Sequence, residues 1–416
     1  MTRHFWLLLH RYAGLYLAFF LIVAGSTGTV LAFYHEIDGW LNPQRYYVPV
    51  QNTPLLDGFR LRELALAQEP HAQINSVVLN PKPGEVVELG LTPLTNPATK
   101  QTYVLDYVSI RLNPYSGEVV GHGQVEKLWP LSRSNLMSFI YRLHDSLALG
   151  ELGIWLFGIS ALIWALDCFV GFYLTLPRFG HQAPLPANLS ATPQRNYGQR
   201  WAVSWKIKWP TSRLRFNFDL HRAGGLWTWL MLLVFAWSAV QFNLPSVYKP
   251  VMSVFFNLPE LSDLTRADLP QARINPDLTW QAAYKIGQDL MTLTAQQYQF
   301  NIIAEQNLIY LPEKNVFAYQ VKSDLDMPTK GGLTHVFFDG DSGQLINIFL
   351  PSGQYPGLTL QFWLQMLHMA GVWGLPYKVF VCLMGLVVAM LSVTGVYIWL
   401  KKHQAASIKR KLHGTV

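Results

Sequence analysis

Four of the twelve histidines in this 416-residue sequence recur in pairs at constant spacings. His10 and His221 stand in the similar stretches LHRYAGLY and LHRAGGLW, which are 211 residues apart. His144 and His368 stand in LHDSLALG and LHMAGVWG, which are 224 residues apart. The other histidines match no histidine under these offsets. An imidazole retained in both copies of a repeat indicates a constraint on that side chain, and imidazole is a frequent metal ligand.

Two pairs of imidazoles are what two six-coordinate haem irons require, since each iron takes one neutral nitrogen from either face of the flat macrocycle. Flanking glycines would leave room for a porphyrin between helices, namely Gly14, Gly25, Gly28, Gly158, Gly171, Gly225 and Gly395. Zinc or copper is the other metal option, but two histidines leave a tetrahedral site short of ligands. The interpretation without a cofactor is that these histidines simply lie in the lipid headgroup region.

The elements that carry these histidines are long apolar segments. Four segments carry at most one formal charge over a length that crosses a bilayer as a helix, namely residues 12–34, 152–177 (where Asp167 is the charge), 223–248 and 379–400. The sequence therefore predicts four transmembrane spans surrounded by membrane lipid. The first segment has a basic start but is too long for the apolar part of a signal peptide, so we interpret it as an uncleaved anchor.

The distribution of basic residues predicts how the spans are oriented. Residues 1–11, 178–222 and 401–416 contain 15 lysines and arginines and a single acid, Asp219. The two long loops contain the other 17 basic residues and 23 acids. By the positive-inside rule, both termini and the middle loop lie in the cytoplasm. The net charge of +7 is therefore a signal of topology and gives no reason to expect nucleic acid as a partner.

The two long loops also resemble each other. VSIRLNPYSGEVVG and HVFFDGDSGQLIN align at their Ser-Gly dipeptides, Ser116-Gly117 and Ser342-Gly343, with an offset of 226. Each reads as two alternating strands joined by a tight turn in which glycine supplies a positive φ. Helical stretches around residues 61–67 and 279–290 precede these hairpins. Each loop is therefore expected to form a small exported α+β module.

The predicted fold is a four-helix transmembrane bundle built from two parallel repeats, each with an exported α+β module. Because both repeats begin in the cytoplasm, they are related by an axis along the membrane normal. His10 and His221 then lie near the cytoplasmic surface, and His144 and His368 near the outer surface. The predicted boundaries are residues 1–34 for span 1, 35–151 for the first module with its pre-span helix, 152–177 for span 2, 178–222 for the cytoplasmic loop, 223–248 for span 3, 249–378 for the second module with its pre-span helix, 379–400 for span 4 and 401–416 for the cytoplasmic tail.

Three charged residues near or inside the spans have two interpretations each. A carboxylate at membrane depth, such as Asp167, is costly and often functional, for example in proton movement beside a redox centre, but it could equally be protonated or hydrogen-bonded to a neighbouring helix. Its repeat partner is Leu391. Arg11 and Arg222 match each other under the repeat, and they could pair with the carboxylate groups of a haem or only mark the cytoplasmic boundary. The two cysteines, Cys168 and Cys382, lie inside spans, and no haem-attachment motif is present.

These motifs resemble the PepSY-associated transmembrane-helix family. The likeness consists of the LHRxxGL openings, the LHxxxxxG segments before the returning spans and the Ser-Gly turns, and it covers nearly the whole chain. Within that family the sequence is similar to inner-membrane siderophore reductases of the FoxB type. The resemblance implies two non-covalent b-type haems, periplasmic PepSY modules and ferric-siderophore reduction at the bacterial inner membrane. The axial haem ligands carried over by motif are His10, His221, His144 and His368; Asp167 departs from the pattern, because such a haem bundle does not call for it.

We therefore expect an electron-transfer enzyme. An unidentified donor, either a quinol or a cytoplasmic reductase, would supply electrons that pass between the haems to a ferric siderophore, which then releases its iron for uptake. An alternative of another class is a haem-free membrane anchor whose modules bind or inhibit exported proteins, since roughly 250 exported residues are enough for a binding role. A divalent-metal transporter would need further ligands in the spans, where only Asp167 is available. The sequence has no G-x-G-x-x-G or P-loop motif for a nucleotide.

Overall fold

A computed structural model describes residues 2–124, 128–178 and 196–413 of the protein. Part of the predicted 178–222 loop, residues 179–195, lies outside the described residues. The α-helices are α1 (Arg3–Leu31), α2 (Tyr34–Leu41), α3 (Gly58–Gln68), α4 (Leu136–Ser146), α5 (Glu151–Thr175), α6 (Tyr197–Trp201), α7 (Arg213–Trp227), α8 (Trp229–Asn243), α9 (Pro245–Ser253), α10 (Trp280–Tyr298), α11 (Pro356–His368) and α12 (Leu375–His413).

The β-strands lie in the two long segments between the apolar helices, residues 35–151 and 249–378, which we call the first and the second module. The strands are β1 (Ala72–Gln73), β2 (Ser76–Val78), β3 (Val87–Gly90), β4 (Thr92–Pro93), β5 (Ser109–Leu112), β6 (Val119–Gly123), β7 (Ile302–Leu311), β8 (Val316–Ser323), β9 (Thr334–Asp339) and β10 (Leu345–Phe349). Short 3-10 turns occupy Pro43–Arg45, Ala202–Trp205 and Leu261–Leu264.

Three helices in the described part of the chain are long and apolar enough to cross a membrane: α1, α5 and, over Leu375–Ile408, α12. The helices α7 and α8 meet the same criterion together, as one bent pair, so there are up to four candidate spans. α1 packs against α12 and α5, α5 packs against α8, and α7 packs against α12. α12 continues without a break into the predicted tail as far as His413. Cys168 on α5 and Cys382 on α12 are both free thiols.

The predicted third span, residues 223–248, is interrupted twice. α7 and α8 meet at Thr228 at an angle of 70°. The hydroxyl of Thr228 donates to the carbonyl of Gly224 at 2.8 Å, and such bonding back to the preceding turn bends a helix. α8 ends at Asn243, and the separate helix α9 begins at Pro245, because proline suits the first position of a helix. The described helices therefore differ from one continuous span over these residues.

Both predicted hairpins are present, since β5 pairs with β6 and β9 pairs with β10 in antiparallel register. The turn glycines Gly117 and Gly343 have φ values of +73° and +72°, which glycine adopts without strain. In each turn a side-chain oxygen accepts a hydrogen bond from the backbone amide two residues later. The amide of Tyr115 donates to Oδ1 of Asn113, and the amide of Asp341 donates to Oδ1 of Asp339, both at 2.9 Å. The two turns are therefore stabilised in the same way, by Asx-type hydrogen bonds.

The helices predicted ahead of the hairpins are α3 and α10. Asp57 caps the start of α3 and Thr279 caps the start of α10, each through its side-chain oxygen. The buried face of α3 packs on the three-stranded sheet β3–β5–β6, and α10 packs on a five-stranded sheet. Each module therefore has its own helix-on-sheet core.

The two modules are nevertheless joined, because the order of the five-stranded sheet is β10–β9–β8–β7–β2. Strand β2 belongs to the first module and pairs antiparallel with β7 of the second, from Ser76 opposite Ile309 to Val78 opposite Asn307. The ring of Phe59 on α3 lies 5.5 Å from that of Tyr284 on α10. The sequence patterns, which were local to each module, did not indicate this shared sheet.

The pre-span helices α4 and α11 return the chain to the apolar helices. α4 packs against α1, and α11 packs against α8. The short connections that follow end at Gly150 and Gly374, whose φ values are +61° and +63°. His144 lies near the end of α4 and His368 at the end of α11. From there, His144 contacts α1 and His368 contacts α8.

Candidate functional site: two facing histidine pairs

The structure brings the four repeat-matched histidines together as two facing pairs. We call His10 with His221 the first pair, and His144 with His368 the second pair. The ring centroids are 6.2 Å apart in each pair, and the ring planes make angles of 57° and 78°. The members of each pair lie on different helices, α1 and α7 for the first pair and α4 and α11 for the second. The residues that face each other are therefore those that the repeat offsets matched.

The two pairs lie near opposite ends of α1. This helix carries His10 near its start, and near its end it carries Thr27, which bonds to His144 of the second pair. These two positions are 17 residues apart, which corresponds to about 25 Å along a helix. The hydrocarbon core of a bilayer is about 30 Å thick. The pairs are therefore separated by most of the distance that a membrane span has to cover.

Hydroxyl groups fix which nitrogen is protonated in the second pair. Thr27 Oγ1 donates to the backbone carbonyl four residues before it at 2.7 Å and lies 2.9 Å from Nδ1 of His144. Ser238 Oγ donates in the same way at 2.6 Å and lies 2.6 Å from Nδ1 of His368. A hydroxyl group has a single proton. When it donates that proton to a carbonyl, its oxygen can only accept a hydrogen bond from the imidazole. Each ring therefore carries its proton on Nδ1, and Nε2 keeps its lone pair.

The first pair reaches the same protonation state with other acceptors. Nδ1 of His221 lies 2.9 Å from the carbonyl oxygen of Leu391 and 3.1 Å from Oγ1 of Thr394. Nδ1 of His10 lies 2.9 Å and 3.0 Å from the two carboxylate oxygens of Asp167. A carbonyl and a carboxylate have no proton to give, so both imidazoles donate through Nδ1. In each of the four rings, the neutral form that donates through Nδ1 leaves the lone pair of Nε2 available to a metal.

This arrangement fits a metal between the two rings of each pair. A histidine that binds a metal through one nitrogen usually donates the other N–H to a nearby acceptor, which fixes the ring orientation. A metal–imidazole bond is about 2 Å long, so two rings on opposite sides of one metal have centroids about 6 Å apart. The observed separation of 6.2 Å agrees with that requirement. Two neutral imidazoles are also a suitable axial ligand set for a six-coordinate haem iron.

A cavity of 1320 Å³ adjoins the second pair and is lined by both of its imidazoles. Small-molecule sites typically have volumes of about 300–1,000 Å³, so the cavity has room for a ligand as large as a porphyrin. Most of its surface is apolar, with aromatic rings such as those of Phe20, Phe157 and Phe242. Its lysine and arginine lining residues are Arg142, which is paired with Asp145, Lys378, which is paired with Glu36, and Lys330. The cavity therefore combines an apolar interior with groups that can bind carboxylates.

Three of the glycines noted in the sequence lie against the histidine rings. A Cβ added to Gly28 or Gly395 would lie 3.2 Å from Cε1 of the neighbouring imidazole, and one added to Gly171 would lie at 3.5 Å. These glycines leave room for imidazole rings. Gly25 instead permits a close helix crossing, since its Cβ would stand 2.6 Å from the backbone oxygen of Gly385. Gly25 and Gly28 also line the cavity of the second pair, and the expectation that the glycines make room for a porphyrin stays a prediction.

The two repeat-matched arginines have different surroundings. Arg222 donates to Asp219 at 2.8 Å and to the carbonyl of Val203 at 2.9 Å. Asp219 is fully buried and also accepts from Arg215 at 2.9 Å. Arg11 is half-buried, and no hydrogen bond or ion pair joins its side chain to another residue that the structure describes. Arg11 is therefore the freer of the two to bind a carboxylate ligand.

The hydrogen-bond acceptors of the rings are functional residues that sequence reasoning missed or left without a partner. Thr27 and Ser238 are 211 residues apart, the same offset as His10 and His221, so a signal for them was present. Asp167 stood out as a charge in a span, but nothing in the sequence linked it to His10. The matching acceptor for His221 is the backbone carbonyl of Leu391. Every residue has a backbone carbonyl, so no pattern of side chains could have indicated this one.

The remaining histidines in the described part of the chain do not join these pairs. His335 is half-buried in the second module and donates through Nδ1 to the carbonyl of Leu333 at 2.7 Å, and the loss of hydration lowers the pKa of His335. His35 lines the cavity of the second pair. His403 stacks on Trp399 in α12. Among the residues that the structure describes, no three His, Cys, Asp or Glu side chains converge to hold a metal ion together.

The chain matches a known family over most of its length. The profile of the family described as "PepSY-associated TM region" covers residues 7–402. That range includes all four paired histidines and both modules. A comparison with the curated proteins finds no match.

Proposed function

The protein belongs to the PepSY-associated transmembrane family, and from that premise we propose that it is a haem-containing membrane oxidoreductase. It holds one b-type haem between His10 and His221 and another between His144 and His368, in a four-helix bundle made of two parallel repeats. It lies in the bacterial inner membrane with both termini in the cytoplasm, so the first pair is on the cytoplasmic side and the second on the periplasmic side. It carries electrons outward to a ferric siderophore.

The observation that carries this proposal is the state of the four imidazoles. Each is one of a facing pair with centroids 6.2 Å apart, and each has its Nδ1 proton bound to a fixed acceptor. Histidines that merely lie among lipid headgroups would need neither the facing geometry nor the fixed tautomer. Both features are required of axial ligands, because the ring must present Nε2 to the iron in one orientation.

Basic side chains support both the orientation and the binding of haem carboxylates. Fifteen of the lysines and arginines lie in the segments assigned to the cytoplasm, against one acid. Arg11 follows the ligand His10 directly and is free to bind a propionate of the haem at the first pair. At the second pair, Lys330 lines the cavity and serves the same purpose, whereas Arg142 is paired with Asp145 and Lys378 with Glu36.

When bound, the haems supply one-electron transfer between the two membrane surfaces. The two histidine pairs that would hold them lie about 25 Å apart along α1, among helices rich in apolar and aromatic side chains. Among these, Trp229 donates to the carbonyl of Cys168 at 2.9 Å, and the ring of Phe235 lies 5.3 Å from that of His368. These contacts join α8 to α5 and to α11.

The electron balance of the reaction is simple. A quinol donor releases two electrons and two protons, and each electron reduces one chelated Fe(III) to Fe(II). A cytoplasmic reductase would supply the same electrons at the first pair. The hard oxygen ligands of a siderophore bind Fe(II) less tightly than Fe(III), because the ferrous ion carries less charge. Reduction therefore promotes release of the iron for uptake.

The proposal is tested with purified protein in sealed lipid vesicles. Dithionite is enclosed inside, and a ferric siderophore is added outside with a dye that absorbs only when it binds ferrous iron. We expect ferrous iron to form outside in vesicles that contain the unaltered protein. Both His221→Ala and His368→Ala should abolish it, whereas His403→Ala, which changes a histidine outside the pairs, should not.

Two results would contradict the proposal. If vesicles with haem-loaded protein reduce no more iron than protein-free vesicles, the protein does not carry electrons to this class of chelate. If the purified protein contains no haem at all, the alternative of a haem-free anchor with protein-binding modules becomes the better account.

A further inference from the structure

Asp167 breaks the symmetry between the two halves of the chain. It corresponds to Leu391 under the 224-residue offset. Nδ1 of His10 donates to the carboxylate of Asp167, whereas Nδ1 of His221 donates to the carbonyl of Leu391 with the hydroxyl of Thr394 beside it. In the second pair both acceptors are hydroxyls. One of the four imidazoles therefore donates to a charged acceptor, and the other three donate to neutral ones.

Helix packing does not account for this carboxylate. Asp167 lies on α5 with its side chain 11% exposed, and its hydrogen-bond partner among the described residues is His10. A charge at membrane depth is costly. A neutral asparagine or threonine would tie α5 to α1 through the same bond without that cost. The carboxylate is therefore a difference between the two halves that the packing of α5 against α1 does not require.

The effect of a charged acceptor on a metal-bound imidazole has a definite sign. A carboxylate that accepts the Nδ1 proton raises the electron density on Nε2 and makes it a more basic ligand. A nearby negative charge also stabilises the more positive oxidation state of a metal. Both effects favour ferric over ferrous iron, and hydrogen bonding to ligands is one of the means by which proteins tune haem potentials.

We propose that Asp167 lowers the reduction potential at the first pair below that at the second pair. This inference rests on the proposed function, since it requires a haem between His10 and His221. Asp167 does not touch the iron; it is a positioning residue that acts through His10. Electrons that enter at the first pair then move to a site of higher potential at the second, so the difference in acceptors gives the electron path its direction.

The direct test is a spectroelectrochemical titration of the unaltered protein and of Asp167→Asn, each with both haems bound. Asparagine keeps an oxygen that can accept from Nδ1 and removes the charge. We expect the lower of the two potentials to rise, so that at a fixed ambient potential the ratio of reduced to oxidised haem at that site increases about tenfold, which for a one-electron couple is about 59 mV. The other potential should not move, and it serves as the internal control.

A second measurement does not depend on how the protein tolerates a change at Asp167. In the double variant His144→Ala/His368→Ala, the first pair keeps its haem and its intact Asp167. The potential of that single haem should equal the lower of the two values in the unaltered protein. If it equals the higher value, the inference is wrong.

The outcomes separate this inference from the proposed function. A protein with two haems whose potentials are the same in Asp167→Asn overturns the role of Asp167 and leaves the proposed function intact. A rise confined to the second haem also overturns it. A protein that binds no haem removes the proposed function and this inference together.

Discussion

The hydroxyl oxygen of Ser238 lies 2.6 Å from Nδ1 of His368, and this contact fixes the orientation of that imidazole in the second pair. Ser238 is fully buried on α8, and its own proton goes to a backbone carbonyl of the same helix at 2.6 Å. Thr27 makes the same contact with His144 in the other half of the chain. One small hydroxyl residue on an apolar helix thus holds each imidazole of this pair.

Removing this hydroxyl should weaken haem binding at the second pair. Ser238→Ala leaves the Nδ1–H of a buried imidazole without its acceptor, which costs about 1–3 kcal/mol, and lets the ring turn. Loss of such an outer partner typically lowers metal affinity about 10- to 100-fold. The rate at which haem passes to excess apomyoglobin should rise accordingly for one of the two haems.

Ser392→Ala is the matched control for that experiment. Ser392 also lies on an apolar helix and donates to the preceding turn, at 3.0 Å to the carbonyl of Val388, but among the described residues its hydroxyl forms no hydrogen bond with a paired histidine. Its haem transfer should resemble that of the unaltered protein. Equal transfer rates in Ser238→Ala and Ser392→Ala would show that Ser238 does not support the ligand.

The histidine variants should fall into two groups of two. His10→Ala or His221→Ala removes an axial ligand of the first haem, and His144→Ala or His368→Ala does so for the second, since a low-spin haem needs both ligands. Each should leave about half of the low-spin Soret intensity, and the two groups should lose different haems. His403→Ala is a better control than a change at His35, because His35 lines the cavity of the second pair. Loss of haem in His403→Ala but not in His221→Ala would mean that the wrong ligands were identified.

The helix crossing at Gly25 should tolerate no side chain. A Cβ there would stand 2.6 Å from the backbone oxygen of Gly385 and 3.0 Å from the backbone nitrogen of Ala389, so α1 and α12 would have to move apart. Overpacking of this kind costs about 1–3 kcal/mol. Gly25→Ala should therefore lower the melting temperature in detergent. Gly14→Ala, in the same helix but with nothing within 4 Å of the added Cβ, should not lower it, and a similar fall in both variants would contradict the close crossing.

The turn at Asp339 should contribute a pH-dependent part of the stability. Burial opposes ionisation of this carboxyl, but hydrogen bonds from the backbone and hydroxyl of Ser342, from the backbone of Asp341 and from Arg266 outweigh it and lower the pKa of Asp339 to about 2. Because the folded pKa lies below the unfolded value, the stabilisation is complete above about pH 4 and is lost as the pH falls toward 2. At pH 7 it amounts to about 2 kcal/mol.

Thermal unfolding of Asp339→Asn at several pH values tests that expectation. The variant should melt at a lower temperature than the unaltered protein at pH 7, and the difference should shrink at the acidic end. Asp289→Asn is the control, since Asp289 forms an exposed pair with Lys285 and exposed pairs contribute little. A difference for Asp339→Asn that is constant with pH would contradict the ionic origin of the effect.

The apolar segments, the module helices and both hairpins could be predicted because each depends on a local pattern. A run without charge, a capping residue such as Asp57 or Thr279, and a Ser-Gly turn act on the residues next to them. The bend at Thr228 and the pairing of β2 with β7 could not be predicted in this way. The bend depends on one hydroxyl bond within an otherwise apolar helix, and the strand pairing depends on contacts between segments more than 200 residues apart.

The paired histidines were predicted for a different reason, since the repeat compares each position with its counterpart elsewhere in the chain. The same comparison reaches Thr27 and Ser238, which differ only by a methyl group. It fails at Asp167, whose counterpart is Leu391, because the two halves use a side chain in one case and a backbone carbonyl in the other. The comparison can also match residues whose surroundings differ. Arg222 matches Arg11 in sequence, but Arg222 is paired with Asp219 in the structure.

The visible spectrum and haem content of the purified full-length protein test the central claim most directly. The protein should be expressed with ample haem, alongside a variant in which His10, His144, His221 and His368 are all replaced by alanine. We predict two non-covalent haems per chain, with a low-spin spectrum in the oxidised and reduced states, and none in the variant. A protein without a Soret band, or a variant that keeps both haems, would contradict the account.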